Sequence, residues 1–414
     1  MSAAGIHRRT ALAAVLRAGA ACATVSLTAA CRRSAPLPAG CTAVGVAGLV
    51  PGMTAGETSA FLEHNGLASL QGYCFQVGGD DTVMVDPHWY PAMIGLVPGR
   101  ASATLLPLDA PLRAANFDPQ FLQPAFRDTF VHNGQRFAVA LGWMPLAIWA
   151  NGRLLQGLQV APPPQAPTLA QLLQYCARVR QALVGSGLYS DKARAAVQVL
   201  AQEDLRAIFP SLLAAFIQGN GGNVSQLPAP TQAADLPGLH SLAELLAYAG
   251  GNKPWSSGAA VLTMASGLPS GFAGNHVSYF PRLQQPVLPV QVYGVGCSAT
   301  AKARVAGVAL WSARLAQPTP QRSLSVTARL NPTARALAGF AGWVPQGIPA
   351  APLTEVPNGW NASWEWGVFD DPLWDAALST TWQKVASSSE PQLIAAALGG
   401  AIAAGVRASR ARTA

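Results

Sequence analysis

Eleven tryptophans stand beside only seven tyrosines in a chain of 414 residues whose charged side chains make up 11%. A tryptophan ring offers a flat face to C–H surfaces. A neutral polar neighbour beside it offers hydrogen bonds, and together they suit a small hydroxylated solute. Three places bring such types together. Asp86 is followed closely by Trp89 and Tyr90, Trp143 and Met144 interrupt a long apolar run, and Trp360, Trp364 and Trp366 cluster late in the chain. Trp143, Met144, Trp89, Tyr90 and Trp364 are therefore candidates for ligand contact, with Asp86 as an acceptor for hydroxyls. Each also has a plain reading. A tryptophan at a strand kink or between prolines packs a core, and an Asp at a strand end caps a turn. Asn220-Gly221, in an Asn-Gly-Gly-Asn stretch after an apolar helix, presents backbone N–H groups to a ligand or else serves as that helix's C-terminal cap.

Few charges lie near these positions, which favours a neutral solute over a phosphate or carboxylate. The net charge of +8 does not mark a nucleic-acid surface. Eight arginines (Arg8, Arg9, Arg17, Arg32, Arg33, Arg407, Arg410 and Arg412) lie in terminal segments without Asp or Glu, and the body between them is neutral. Catalytic signatures are missing. There is no Gly-x-Ser-x-Gly elbow, His-Glu-x-x-His pair or Walker loop. The carboxylate pairs Asp80-Asp81, Glu203-Asp204 and Asp370-Asp371 read as solvated. His88 has no partner at metal-ligand spacing, the cysteine spacings do not suit zinc, and no metal or cofactor is expected.

The start of the chain reads as an export signal over residues 1–30. His7-Arg8-Arg9-Thr10 precedes an apolar run, and Leu27-Thr28-Ala29-Ala30-Cys31 is similar to a lipoprotein cleavage box, with Cys31 as the acylated residue. An ordinary signal cut near Ala30 is the alternative. In an oxidising compartment Cys41 and Cys74 either bridge or remain buried thiols.

The elements that must position these residues alternate between strand and helix. Ala43–Val50, Thr82–Asp86, Ala259–Met264 and Val287–Tyr293 read as buried strands. Phe137–Asn151 reads as one strand that breaks at Gly142-Trp143-Met144-Pro145, resumes, and ends in an Asn-Gly turn. Capping boxes at Thr168–Gln171 and Ser241–Glu244 open two helices, the second ending at Gly250-Gly251. Ala193–Ile208 and Pro210–Gln218 carry helical periodicity, and Leu393–Val406 reads as a buried helix too short to span a bilayer. A broken strand that resumes is how two α/β lobes share one crossing.

In this order the pieces resemble the bacterial extracellular solute-binding proteins, and more narrowly the sugar-type binding component of ABC importers. The resemblance is carried by Val85–Pro91, Leu105–Asp109 with Phe117–Phe121, the hairpin His132–Val139 leading into the crossing strand, Trp149-Ala150-Asn151, Trp255–Gly267, Phe280–Leu283 with Pro289–Gly294, and Val305–Trp311. It implies a two-lobed α/β periplasmic-binding-protein-like fold (type II), with hinge-linked lobes of mixed sheet flanked by helices. It places residues 31–142 plus about 293–345 in lobe 1, and 143–292 plus about 346–414 in lobe 2. It adds Gly267, Leu268 and Tyr293 to the ligand-side residues. A neutral sugar or polyol would be captured between the lobes and passed to the membrane subunits of an importer, without catalysis. An exported carbohydrate hydrolase, or a sensory or structural lipoprotein that keeps the fold, are the alternative readings.

Overall fold

The computed structural model describes residues 40–50, 53–85, 104–185, 197–223, 236–250, 254–269, 271, 273–363, 381–385 and 388–413. Its strands are β1 (Thr42–Val46), β2 (Ser69–Leu70), β3 (Tyr73–Val77), β4 (Thr82–Val85), β5 (Leu105–Leu106), β6 (Val131–His132), β7 (Gln135–Arg136), β8 (Ala138–Ala150), β9 (Gln198–Ala201), β10 (Ala249–Gly250), β11 (Ala260–Ser266), β12 (His276–Tyr279), β13 (Val287–Ser298), β14 (Asn331–Pro332) and β15 (Asn361–Ser363). All but the β6–β7 hairpin join one mixed sheet, whose main path runs β10-β9-β11-β8-β13-β4-β1-β3-β2.

Two long strands hold this sheet together. β8 and β13 run antiparallel, from Val290 opposite Pro145 to Gly296 opposite Ala138. Beyond one end of that ladder lie β4, β1, β3 and β2, and beyond the other lie β11, β9, β10 and β12. The sheet therefore consists of two halves that share a pair of crossing strands, and the architecture is a two-lobed α/β fold. β8 is buried almost throughout because both faces are covered, which explains its unalternating apolar run.

The strand does not break at Trp143. It runs without interruption for 13 residues, and its irregularity falls earlier. Tyr293 faces Gly142 but Gly294 faces Ala140, so Leu141 is an extra residue, a bulge. Pro145 is tolerated because no strand flanks that edge of β8 among the described residues. β14 pairs only with Trp143 and Gly142, and β11 ends opposite Leu146.

Helices form where the sequence caps them. Thr54 and Glu57 make a reciprocal capping box on helix Ala55–His64. Thr168 and Gln171 do the same for helix Leu169–Gly185. Ser241–Glu244 is not a capping box in the fold. Its helix starts earlier, at Leu239 after Gly238 with φ of 87°, and ends at Leu246, so that Ala249-Gly250 is free to form β10. Ala193–Ile208 is not a single helix either. Its apolar residues Val199 and Leu200 belong to β9, parallel to β11, and a helix begins only at Gln202. Phe209–Gly219 is helical as read. Asn151 makes a helix cap instead of a turn, accepting from the Leu154 amide at 3.1 Å to open helix Gly152–Leu158. Helix Pro391–Thr413 buries Ile394, Leu398 and Ile402, and no described helix is long and apolar enough to cross a membrane. Cys41 and Cys74 form a disulfide beside the β1–β3 ladder.

Candidate functional site

The two halves of the sheet part at Met144-Pro145, and the candidate site is built there. Trp143 and Met144 alternate sides of β8. Trp143 is 1% exposed. Its ring lies 5.0 Å from that of Phe126, and its Nε1 donates to the Pro332 carbonyl at 3.2 Å. The ring is enclosed by packing and its single donor is used. The sequence reading of Trp143 as a cleft wall is therefore corrected to a core aromatic at the crossing. Met144, on the opposite side, is half-buried. So is Gln291, its register partner on β13. Cross-strand partners share a face of the sheet, so a flexible thioether and a neutral amide lie side by side at the crossing, each partly open to solvent.

The turn after β11 closes on this pair. Gly267 has φ of 73°, and a Cβ built on it would lie 2.6 Å from the Met144 sulfur. The backbone angle favours glycine, and an added Cβ would also push the Met144 side chain aside. Ser266 and Leu268, on either side of it, are half-buried. Met144, Gln291, Ser266 and Gly267 therefore form one neutral surface, able to present C–H contacts and a few hydrogen-bonding groups, while Leu268 packs against the cluster of Ala147 and Trp149. Gln291 was not singled out from sequence. Its signal was the lone amide in the apolar run Val287-Leu-Pro-Val-Gln-Val-Tyr293.

Neither a protein-family model nor a curated relative matches the sequence. The likeness is in structure. An ABC substrate-binding protein of Listeria monocytogenes, in complex with cycloalternan, superposes with a TM-score of 0.63 at 13% identity, covering 87% of this chain and 98% of that one. UgpB of Mycobacterium tuberculosis, in complex with glycerophosphocholine, gives 0.61 at 13% identity over 91% and 99%. A sugar transporter of Rhizobium etli in an open conformation gives 0.62 at 10% identity over 89% and 100%. The fold is that of the ABC substrate-binding proteins.

Within this substrate-binding-protein fold the remaining candidates separate. Tyr293 is 4% exposed and faces Gly142 at the bulge, so it belongs to the crossing's packing. Asn220 caps helix Phe209–Gly219, its Nδ2 donating to the Phe216 carbonyl at 2.7 Å, and Gly221 follows with φ of 84°. Asn220 opens instead on a surface pocket of about 380 Å³ shared with Thr168, Ser241 and Arg282, none of them at the crossing. Asp86, Trp89, Tyr90, Trp364 and Cys31 lie outside the described residues. Of the other tryptophans, Trp149, Trp255, Trp311, Trp343 and Trp382 are buried, and Trp360 is half-buried, 6.5 Å from the Tyr279 ring.

The charged groups near the sheet are structural. Asp81 accepts from the Gly45 amide at 2.6 Å and pairs with Arg304 at 2.7 Å. Asp204 accepts from the Trp255 amide and the Thr263 hydroxyl, both at 2.9 Å. Burial pushes the Cys176 and Cys297 thiols up to about 12, so neither is a thiolate nucleophile at neutral pH. Among the described residues no group of three or more His, Cys, Asp or Glu is placed to hold a metal.

Proposed function

We propose that the protein is an exported solute-binding protein that captures a neutral sugar or polyol between its lobes and delivers it to the membrane subunits of an ABC importer. The observation that carries this reading is the near-complete overlap of fold with substrate-binding proteins, 98% or more of each compared chain. The uncharged Met144–Gln291 surface at the parting of the halves supports a neutral ligand. Capture works by hinge closure: a solute that touches both lobes binds the closed form better and shifts the population toward it. Lobe 1 comprises residues 31–142 plus 293 to about 340, a few residues short of the sequence expectation of about 345 because Trp343 packs with Trp149 and Trp255, and lobe 2 the remainder after the signal. Asp86, Trp89, Tyr90 and Trp364 complete the ligand contacts, and Cys31 carries the lipid that tethers the protein outside the cytoplasmic membrane.

A thermal-shift screen against mono- and oligosaccharides, polyols and glycerophosphodiesters tests the reading. A solute at a hundred times its Kd stabilises by about 2.7 kcal/mol and raises the melting temperature. No shift with any member would reject the neutral-solute proposal. Radiolabelled fatty acid entering the wild-type protein but not a Cys31→Ala variant tests the anchor.

A further inference from the structure

The crossing carries a second set of contacts that β8 and β13 do not explain. Helix Pro318–Ala328 packs with the first half of the sheet, where Asn65 Nδ2 meets Ser323 Oγ at 3.2 Å. The chain then runs out along β8 to Asn331, opposite Trp143, and turns back. Ala334 bridges to Leu122, and Arg335–Leu337 packs on Pro119–Phe121. Only afterwards does it enter the other half. Trp343 and Leu353 share an apolar cluster with Trp149, Trp255, Ala260 and Val277. Asn331 is thus the tip of a loop belonging to one half, and its side chain is bonded to the other. Its Oδ1 accepts from Trp343 Nε1 at 3.0 Å, and its Nδ2 donates to the Leu353 carbonyl.

Two residues away the bonds stay at home. Thr333 Oγ1 donates to the Ala140 carbonyl at 2.7 Å and accepts from Gln321 Nε2 at 2.9 Å, while Gln321 Oε1 accepts from the Ala334 amide at 2.6 Å. Asn331, Thr333 and Gln321 are all 1% exposed or less. A buried amide stripped of its partners is costly to leave unsatisfied. Conformations that keep Trp343 and Leu353 seated on Asn331 are favoured for that reason alone.

We propose that Asn331 is an interlobe clasp, a single buried amide that sets the resting opening angle of the two halves before any solute binds. The proposal concerns the empty protein and does not depend on what it captures. Spin labels on Glu63→Cys and Glu244→Cys, both exposed and on opposite halves, report the ligand-free interlobe distance by pulsed electron resonance. Among the described residues the free thiols, Cys176 and Cys297, are buried and do not compete for label, and Cys22 and Cys31 are changed to alanine in every labelled variant. Asn331→Ala is expected to broaden the distance distribution and displace its mean. Trp343→Phe, which keeps the ring but removes its N–H, should do the same to a lesser degree and keeps the test available if the first variant does not fold. Thr333→Val should lower the melting temperature and leave the distribution unchanged. A distribution unaltered in the Asn331 or Trp343 variant, or altered equally by Thr333→Val, would overturn the clasp.

Discussion

At the scale of single residues, the crossing sorts side chains by which side of β8 they occupy. Trp143 fills the core against Phe126, whereas Met144 and Gln291 remain partly open. Trp143→Phe should therefore cost roughly 1–3 kcal/mol of stability, through a smaller ring and the loss of one of the two bonds to the Pro332 carbonyl, which keeps its bond from Gln123 Nε2, with solute affinity nearly unchanged. Denaturant melts combined with titration calorimetry check this, and a selective loss of affinity would restore Trp143 to the cleft. Gln291→Ala should behave in the opposite way. It removes a half-exposed amide, so stability should change by less than about 0.5 kcal/mol while affinity falls on the order of tenfold. Gly267→Ala meets both a φ of 73° and the Met144 sulfur, and should destabilise by about 1–3 kcal/mol. Tryptophan abundance in the sequence pointed toward a binding role, yet six of the described tryptophans are buried packing. Composition counts rings but does not reveal which face of a strand each one takes.

At the scale of elements, legibility followed how local the deciding interaction was. The Thr168–Gln171 box was readable because its bonds span three residues, and Thr168→Ala should cost about 1 kcal/mol by chemical denaturation. The Ser241–Glu244 pattern is of the same kind and makes no such bonds, because Gly238 had already turned the chain into the helix. β9 was hidden inside a helical pattern because its strand character comes from pairing with β11, some sixty residues away. The Cys41–Cys74 bridge ties the start of β1 to β3 across a separation of 33 residues. Its removal by reduction, or by paired serine substitution, should cost about 2–4 kcal/mol and lower the melting temperature measurably.

At the scale of the whole molecule, the alkaline limit of stability follows from burial. The folded Cys176 and Cys297 thiols sit near 12 against an ordinary value of 9.0, raised chiefly by desolvation. A raised acid favours the neutral folded form, so this stability is complete below about pH 9 and is lost as pH climbs toward 12. Melting temperature should fall across that window, and Cys176→Ala with Cys297→Ala should flatten the slope. The α/β alternation was legible from sequence alone, because buried strands and capped helices must alternate along the chain to be packed, and the division into two lobes was implied by the resemblance to solute-binding proteins. The scarcity of charge around the candidate residues was legible too, since residue type needs no coordinates. Tertiary structure alone decided that the irregularity lies at Leu141 and Gly142, that Met144 and Gln291 rather than Trp143 face the parting of the halves, and that Asn331 reaches across it. Each of these depends on register between strands more than a hundred residues apart, and a shift of one residue exchanges the two faces of a strand.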